Sequence, residues 1–376
     1  MSLIPVYDAT SQADLNRALT EVEAALETAP AADDQAHTSE QAIVESVDAE
    51  DSAPDFEIPI FTQLIGVRPE VYEQLRNALK SGKRHIMFYG PPGTGKTSLA
   101  ELTAGHLHSS YRLVTGSADW SSQDIIGGYQ PTGGAGIRFT KGVLLEHFDK
   151  PLIIDELNRC DIDRVLGPLF TVLSGQPTTL PYLRDLANDA SERYVILPEH
   201  KAGASAHEFS PSANWRLLAT INSIDKASLY QMSYALTRRF AWILVDVPED
   251  LGAFVRDFCA LKGFGPEPGS PVQTPAPMAR IWAAVNKVRP MGAAPFIDAI
   301  SYCRAASASF AFFERPTAGA QNIYLDAFQV FVLPMLDGIA HEAARRVAGE
   351  VATAVDLAAG DPQAATLERR LLALAL

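Results

Sequence analysis

The segment Gly90-Pro91-Pro92-Gly93-Thr94-Gly95-Lys96-Thr97 has the glycine spacing and the Lys-Thr ending of a phosphate-binding loop. Its glycines let backbone N–H groups turn toward a phosphate, Lys96 can reach the β- and γ-phosphate oxygens, and the Thr97 hydroxyl is a ligand for Mg²⁺. An apolar run, His85 to Tyr89, precedes the loop, and a helix-forming run, Thr97 to His106, follows it. Since a helix N-terminus stabilises an anion, this order predicts a site for a nucleoside triphosphate with Mg²⁺.

Two carboxylates, Asp155 and Glu156, follow the apolar run Leu152 to Ile154. At the end of a buried strand beside a phosphate loop, the first acid can hold Mg²⁺ and the second can polarise the attacking water. An apolar run that ends in acids is common by itself. Its position about 59 residues after Lys96, in a chain that alternates strands and helices, gives it weight. We assign Asp155 to the metal and Glu156 to the role of general base.

Asn222 follows a third apolar run, Trp215 to Thr220. A neutral amide at the carboxyl edge of the sheet can orient a water molecule near the γ-phosphate without adding negative charge. The alternative is a turn residue with no role in chemistry. The order of the motifs along the chain favours the functional interpretation.

Arg238 and Arg239 end a predicted helix, Ser228 to Thr237, and lead into the strand-like run Phe240 to Val247. Two arginines there can simply stabilise the helix dipole. The functional interpretation is an arginine finger supplied to the nucleotide of the next subunit, which raises the rate roughly 10³- to 10⁵-fold. Because no segment nearer the phosphate loop provides that charge, we favour the finger and predict self-association.

Strand-like and helical segments alternate through the middle of the chain. A helix begins within Gly66 to Lys80, and the strand-like runs are His85–Tyr89, Tyr111–Thr115, Pro151–Asp155, Trp215–Thr220 and Phe240–Val247. This alternation predicts an α/β fold with a parallel sheet covered by helices. After Pro248 the predicted elements are all helical: Leu251–Lys262, Pro277–Val288, Ala294–Ala306, Tyr324–Val347 and Thr366–Leu374. We therefore predict a nucleotide-binding domain over 59–248 and a helical domain over 249–376.

The first 58 residues differ in composition from the rest of the chain. They hold fourteen Asp and Glu residues against one basic residue, Arg17, which accounts for nearly all of the net charge of −14. Asp14 to Thr28 has helical spacing of leucine and valine, whereas Ala29 to Pro54 has the composition of a disordered segment. Two interpretations stay open, a docking helix on an acidic tether and a solvating tail. In either case the acidic charge would repel nucleic acid.

Composition argues against several other classes of protein. No apolar run is long enough to span a bilayer, and the first ten residues lack a signal-peptide pattern, so we expect a cytoplasmic protein without membrane insertion. The three cysteines, Cys160, Cys259 and Cys303, show no metal-ligand spacing. We expect them to be buried as small apolar side chains.

Four segments of the chain together resemble the motifs of the AAA+ ATPases. Within that family they resemble the clade of MoxR and McrB-like proteins, also called dynein-related. In chain order the segments are GPPGTGKT, LIIDELNR, ATINSID and ALTRRF. The resemblance covers Phe61 to Glu249, and the helical remainder resembles the family's lid. It implies a P-loop NTPase core, contacts to ATP from Ile65, Gly66 and residues 90 to 98 including Ser98, and a ring, expected to be a hexamer. It also implies a hairpin over 124–142, turning at Gly133-Gly134, and a second hairpin including Tyr194–Pro198. The Asp-Glu-Leu-Asn-Arg and Ala-Leu-Thr-Arg-Arg-Phe forms favour the McrB-like branch.

Two features depart from the clade. The segment Gly292-Ala293-Ala294-Pro295 is followed by Phe296 where a second-sensor arginine is typical, so that role stays unassigned between Arg289 and Arg304. In addition, no modified-DNA-binding domain precedes the motor.

Three functions remain open from the sequence. The leading one is a ring ATPase that remodels or activates a partner protein, as MoxR-like chaperones do with a von Willebrand-type partner. The second is a GTP- or ATP-driven motor of a restriction or antiviral complex with a nuclease subunit. The third is a nucleotide-gated scaffold with little turnover, against which Glu156, Asn222 and the two arginines argue.

Overall fold

The computed structural model describes residues 56–131, 136–222, 234–266 and 276–376. Three expectations lie partly or wholly outside these ranges: the helix predicted in the acidic tail, the Gly133-Gly134 turn, and the first part of the helix predicted over Ser228–Thr237.

Ten strands form three sheets within the described residues. The strands are β1 (Ile86–Gly90), β2 (Arg112–Thr115), β3 (Gly127–Pro131), β4 (Ile137–Lys141), β5 (Leu152–Asp155), β6 (Thr178–Leu183), β7 (Arg193–Ile196), β8 (Glu208–Phe209), β9 (Leu217–Asn222) and β10 (Ala241–Leu244). The main sheet is parallel throughout, in the order β10-β1-β9-β5-β2. The predicted parallel sheet is therefore confirmed.

Twelve α-helices accompany these strands in the described part of the chain. They are α1 (Pro69–Lys80), α2 (Lys96–Leu107), α3 (Ser122–Ile125), α4 (Val143–Glu146), α5 (Ile162–Leu166), α6 (Tyr234–Thr237), α7 (Leu251–Leu261), α8 (Pro277–Asn286), α9 (Ala294–Ala306), α10 (Ala318–Ala327), α11 (His341–Ala354) and α12 (Pro362–Leu372).

Strand β1 lies inside the main sheet because its side chains can be buried on both faces. Ile86, Met87 and Phe88 have no exposed surface, with Ile86 and Phe88 in one apolar core and Met87 in another. Such a continuous apolar run is typical of a parallel strand covered by helices. The carboxyl ends of β1, β9 and β5 meet at one edge of the sheet, and Gly90 lies directly beside Asn222 in the pairing register. This edge carries the candidate site.

The five strands of the main sheet differ from the predicted runs by one to three residues at their ends, and two of these differences bear on the site or on the sheet edge. The third apolar run forms β9 as far as Asn222 rather than Thr220, because β1 continues to Gly90 and gives the longer strand a partner. At the other side of β1, β10 ends at Leu244 rather than Val247. It is an edge strand, and its last partner in the register is Tyr89. Asn222 is thus the last residue of a strand and not the residue after a strand.

Two small antiparallel hairpins, β3–β4 and β6–β7, pack against each other through aromatic rings. Phe139 lies 4.7 Å from Tyr194 and 5.1 Å from Tyr182 between ring centroids. The Tyr129 hydroxyl donates a 2.9 Å hydrogen bond to the Leu183 carbonyl. Both hairpins that the resemblance implied are present as strand pairs.

The helices from Leu251 onward, called the lid below, have an apolar core of their own that includes Trp282, Phe296 and Phe328. No strand occurs among the described residues of this segment, as predicted. The single helix predicted over Tyr324–Val347 is wrong. A π-helical turn and a 3₁₀ turn, Phe328–Val332 and Leu333–Leu336, separate α10 from α11.

The physical reason for this break lies at Pro334 and Gly338. Proline has no N–H to donate to the preceding turn, and Gly338 has φ of 74°, which a helix does not allow.

All three cysteines are free thiols and buried, as expected. Burial raises the pKa of Cys160 to about 11 and those of Cys259 and Cys303 to about 12. Among the helices that the structure describes, none combines the length and the apolar character that crossing a bilayer requires.

Candidate active site

The phosphate loop connects β1 to α2 through three glycines with positive φ. Gly90, Gly93 and Gly95 have φ of 149°, 76° and 87°, values that favour glycine. Gly90 has a second constraint, because a Cβ there would lie 2.1 Å from the Val245 carbonyl oxygen. The Thr94 hydroxyl closes the loop with a 3.0 Å hydrogen bond to the Pro91 carbonyl. The glycines and the Thr94 hydroxyl therefore determine the course of the loop.

Lys96 is buried at the start of α2, with 5% of its surface exposed. Its ammonium donates hydrogen bonds to the carbonyls of Pro91, at 2.6 Å, and Gly90, at 3.1 Å. Burial lowers the pKa of Lys96 to about 8, although the nearby carboxylates of Asp155 and Glu156 oppose this shift. A phosphate entering the loop would offer the ammonium stronger acceptors than these two carbonyls.

Asp155 receives two hydroxyl hydrogen bonds on one oxygen. Thr97 Oγ1 and Thr220 Oγ1 each donate to Asp155 Oδ1 at 2.6 Å. These contacts join the first turn of α2, the end of β5 and the middle of β9. The Thr97 hydroxyl oxygen and the Asp155 carboxylate oxygen therefore lie next to each other. Both are oxygen ligands of the kind that Mg²⁺ prefers.

Magnesium fits this donor pair only together with a bound triphosphate. No group of three or more His, Cys, Asp or Glu side chains suited to a metal occurs in the described part of the chain. Mg²⁺ is usually held by one or two protein oxygens plus substrate phosphates and water. Thr97 and Asp155 would hold the ion, which would neutralise charge on the phosphates.

Glu156 lies in a left-handed conformation with φ of 50°, which is uncommon for a residue other than glycine. Its backbone N–H donates to Thr220 Oγ1 at 2.9 Å, which holds the turn in place. The side chain is held from two sides. Asn222 Nδ2 donates to Glu156 Oε1 at 3.3 Å, and the Arg159 guanidinium pairs with the other carboxylate oxygen. Glu156 and Asn222, predicted separately, are thus direct neighbours.

A cavity of about 470 Å³ contains these groups and extends from the phosphate loop to the lid. Its polar end holds Lys96, Thr97, Asp155, Glu156 and Asn222. Pro92, Gly93, Thr94, Gly95, Ser98, Ile65 and Thr220 also line it.

The lining of the cavity also includes an apolar set that suits a nucleobase: Phe254, Phe258, Leu261 and Ile297 of the lid, together with Leu64. Gln63 and Lys262 are further polar residues of this lining.

Three predicted contacts, Gly66, Gly90 and Pro91, do not line the cavity but shape it. Gly66 has φ of 86°, and a Cβ there would lie 2.6 Å from the Phe254 ring. The predicted base-side segment therefore contacts the lid closely at a point where only glycine fits.

The lid also contacts the phosphate loop directly. Gly292 N–H donates to the Pro92 carbonyl at 2.8 Å, and Ala294 N–H donates to the Gly93 carbonyl at 3.1 Å. These bonds place the N-terminus of α9 against the loop. Phe296, which occupies the position typical of a second-sensor arginine, is fully buried and stacks on Trp282 with centroids 4.7 Å apart.

Neither alternative arginine lines the cavity. Arg289 donates to the Met335 carbonyl at 2.7 Å, and Arg304 lies over the Phe264 ring at 5.4 Å. Among the described lid residues, Lys262 is the cation that lines the cavity.

Arg238 and Arg239 lie away from this cavity and line a second one. The side chains of the two adjacent arginines have different surroundings. Arg239 Nε donates to the Phe170 carbonyl at 2.7 Å, and its guanidinium lies 5.3 Å from the centre of the Phe170 ring. Arg238 is exposed, and its side chain has no hydrogen bond or ion pair with any described residue. Arg239 is thus anchored on Phe170 of its own chain, whereas the Arg238 side chain is exposed to solvent.

Sequence reasoning missed Thr220 and Arg159 as parts of the site. Thr220 is a hydroxyl two residues before Asn222, so it shares the Asn222 face of an alternating strand, and that signal was available. Arg159 is three residues after Glu156, a spacing that brings side chains together in a helical turn.

Comparison with known proteins agrees with this architecture. Residues 85–240 match the family model described as AAA domain, dynein-related subfamily. The Holliday junction branch migration complex subunit RuvB of Rhodococcus erythropolis is 39% identical over 92 residues, which are 23% of this chain and 24% of that protein. Replication factor C small subunit 2 of Pyrobaculum islandicum is 51% identical over 43 residues, 11% of this chain and 13% of that protein.

These matches span about a quarter or less of the curated relatives. The solved structure of the Thermotoga maritima RuvB branch migration motor aligns over 82% of this chain and 87% of that one, with 15% identity and a TM-score of 0.38. With the AAA match, the phosphate loop and the parallel strand order, the fold is a P-loop AAA fold followed by a helical C-terminal region.

Proposed function

We propose that this protein is an Mg²⁺-dependent ATPase that acts at the subunit interfaces of a ring, expected to be a hexamer, and uses hydrolysis to remodel or activate a partner protein. One observation carries the proposal. The groups suited to binding and cleaving a triphosphate surround one cavity, while the Arg238 side chain lies at another cavity and has no hydrogen bond or ion pair with a described residue.

The roles of the cavity residues follow from their positions. Lys96 and the loop N–H groups bind the phosphates, Thr97 and Asp155 hold Mg²⁺, and Glu156 accepts a proton from the attacking water. Asn222 contacts Glu156 at 3.3 Å and so can orient the same water. An arginine beside the γ-phosphate stabilises the charge that develops there during cleavage, and among the described residues no arginine lines the nucleotide cavity.

Arg238 can supply this arginine only from a neighbouring subunit. It precedes β10, whose first residue Ala241 is paired with Ile86 at the start of β1. The phosphate loop begins at the other end of β1, roughly 13 to 17 Å away at 3.3 Å per residue. We therefore assign Arg238 as the trans-acting finger and Arg239 as its anchor on Phe170.

The MoxR or McrB-like assignment belongs to this proposal as well. Its support is the set of four motifs and the paired hairpins that such proteins insert around the second helix and before the sensor strand. A protein substrate or an effector subunit, of von Willebrand or nuclease type, is the expected partner. The acidic tail favours a protein partner over nucleic acid. A Glu156→Gln protein held in ATP is the bait of choice, because it should retain the bound partner.

The proposal is tested by mixing two inactive proteins, Arg238→Ala and Glu156→Gln. Each should bind ATP and hydrolyse it at least 100-fold more slowly than the wild type. A mixed ring contains interfaces where Glu156 of one subunit meets Arg238 of the next, so the mixture should recover a substantial fraction of the activity. Arg345→Ala is the matched control, because Arg345 is an exposed lid arginine 3.6 Å from Glu368.

The ring mechanism would be rejected if two results were obtained together. One is a mixture that stays inactive although subunit exchange is demonstrated by mass spectrometry. The other is a monomeric mass in saturating Mg²⁺ and ATP. Replacing ATP by GTP in the same assay distinguishes the McrB-like alternative, since a GTP preference would favour a restriction motor.

A further inference from the structure

The second cavity is strongly basic. It has a volume of about 730 Å³, and its charged wall residues are Lys83, Arg84, Glu199, Arg238 and Arg239, with Tyr234, Ser174 and His85 as its other polar residues. Four of these side chains are cationic and one is acidic, so the wall carries an excess of positive charge. Like charges held together destabilise a protein unless an anion compensates them. The composition of this wall indicates an anionic ligand.

Strand pairing explains why these charges meet. β1 and β10 are parallel neighbours, with Ile86 beside Ala241 in the register, and Ala241 N–H donates to the His85 carbonyl at 2.9 Å. The residues before each strand are therefore also neighbours. Lys83 confirms this contact, since its ammonium donates to the Arg238 carbonyl at 3.1 Å.

Arg84 is weakly restrained within its own subunit. Its guanidinium lies 3.5 Å from the Pro198 carbonyl and 3.8 Å from the nearest Glu199 oxygen, both beyond the usual 2.7 to 3.2 Å of a strong hydrogen bond. About a third of its side chain, 36%, is exposed. Its charge also helps to lower the pKa values of buried His85 and Arg216, although burial has the larger effect on both.

The rim of the cavity has the character of a protein interface. Tyr234 is 87% exposed, an unusual state for a large aromatic side chain. Exposed tyrosine and arginine are the residue types enriched where proteins bind each other.

We propose that Arg84 is a second trans-acting cation, which with Arg238 binds the triphosphate held by the neighbouring subunit, and that Lys83 positions the Arg238 segment. This inference rests on the proposed function. The proposed function assigns one residue, Arg238, to the neighbour's nucleotide. This inference assigns the whole basic cavity to that ligand.

Arg84→Gln in the full chain tests the assignment. Its affinity for a fluorescent ATP analogue should stay within about twofold of the wild type, because Arg84 does not line its own nucleotide cavity. Hydrolysis at saturating ATP should fall at least tenfold, or the rings should cease to assemble in ATP, whereas Arg84→Lys should keep much more activity. Arg345→Gln is again the matched control.

Mixing distinguishes a trans role from a structural role. Lys96→Ala cannot bind nucleotide but has an intact basic cavity, while Arg84→Gln has an intact nucleotide cavity. A mixture of the two should be more active than either alone, because some interfaces combine both intact parts. A merely structural Arg84 would give no recovery.

The outcomes separate this inference from the proposed function. If Arg238→Ala loses hydrolysis while Arg84→Gln is fully active in rings, only the role of Arg84 is wrong. If both variants keep wild-type turnover, the trans mechanism itself is wrong. Normal ATP affinity of Arg84→Gln excludes misfolding, and should that variant fail to fold, Arg84→Ala takes its place in the same mixtures.

Discussion

The backbone N–H of Gly292 donates a 2.8 Å hydrogen bond to the carbonyl of Pro92, which ties the lid to the phosphate loop. The two residues are 200 positions apart in the sequence. Their contact leaves no room for a side chain, because a Cβ on Gly292 would lie 2.2 Å from the carbonyl carbon of Gly93. The lid and the phosphate loop are therefore in direct backbone contact.

Gly292→Ala should displace the lid from the phosphate loop. We expect a loss of about 1 to 3 kcal/mol in stability, typical of overpacking, and at least tenfold weaker ATP binding. Thermal unfolding and titration with a fluorescent nucleotide measure the two effects. Gly349→Ala in α11 is the matched control, since no heavy atom beyond its chain neighbours and its own helix backbone lies within 4 Å of the Cβ position, and alanine favours a helix. Equal behaviour of the two variants would refute the contact.

ATP affinity should weaken as the pH rises above 8. In the folded protein, burial lowers the pKa of Lys96 to about 8, and a bound phosphate stabilises the protonated ammonium. Binding above this pKa must take up a proton, so the affinity should fall up to about tenfold per pH unit between pH 8 and 9.5. Calorimetry in two buffers of different ionisation enthalpy measures the uptake. A constant affinity from pH 7 to 9.5 would contradict this account, and Lys96→Ala should abolish binding altogether.

Thr220→Val should damage both stability and hydrolysis. Valine removes the hydroxyl that donates to Asp155 and accepts the Glu156 N–H, and Thr220 is only 2% exposed. The unpaired groups should cost about 1 to 3 kcal/mol, measured by urea unfolding. Thr220→Ser keeps the hydroxyl and should restore most of the turnover. If valine and serine behave alike, the hydroxyl has no role in holding Glu156.

The nucleotide-free protein should lose stability as the pH falls below 6.5. His85 is buried, accepts a 3.1 Å hydrogen bond from Leu217 N–H, and has a pKa lowered to about 3, chiefly by burial. Between pH 6.5 and 3 the unfolded chain binds this proton and the folded one does not. The free energy of unfolding should therefore fall by about 1.4 kcal/mol per pH unit from this group. Urea unfolding at several pH values should show a smaller slope for His85→Asn, and an unchanged slope would refute the assignment.

The parallel sheet was predictable because its central strands β1, β5 and β9 each begin with at least three buried apolar residues in a row, which is the signature of strands covered on both faces. The phosphate loop was equally predictable from the sequence. Its glycines allow the backbone to turn and its Lys-Thr ending binds the phosphates and the metal, and both requirements are local in the chain. The prediction of one helix over Tyr324–Val347 was wrong for a local reason as well. The helical spacing of apolar residues continues through Pro334, but the helical backbone cannot continue there.

The sequence alone determined which groups bind a phosphate, since that chemistry depends on residue type and short spacing. Only the tertiary structure decided which distant groups meet. Strand pairing places Thr220 beside Asp155, and packing of the lid places Gly292 against the phosphate loop. The contact of Arg239 with Phe170 gives it surroundings that differ from those of Arg238. Such contacts join residues far apart in the chain, and no local pattern encodes the pairing that brings them together.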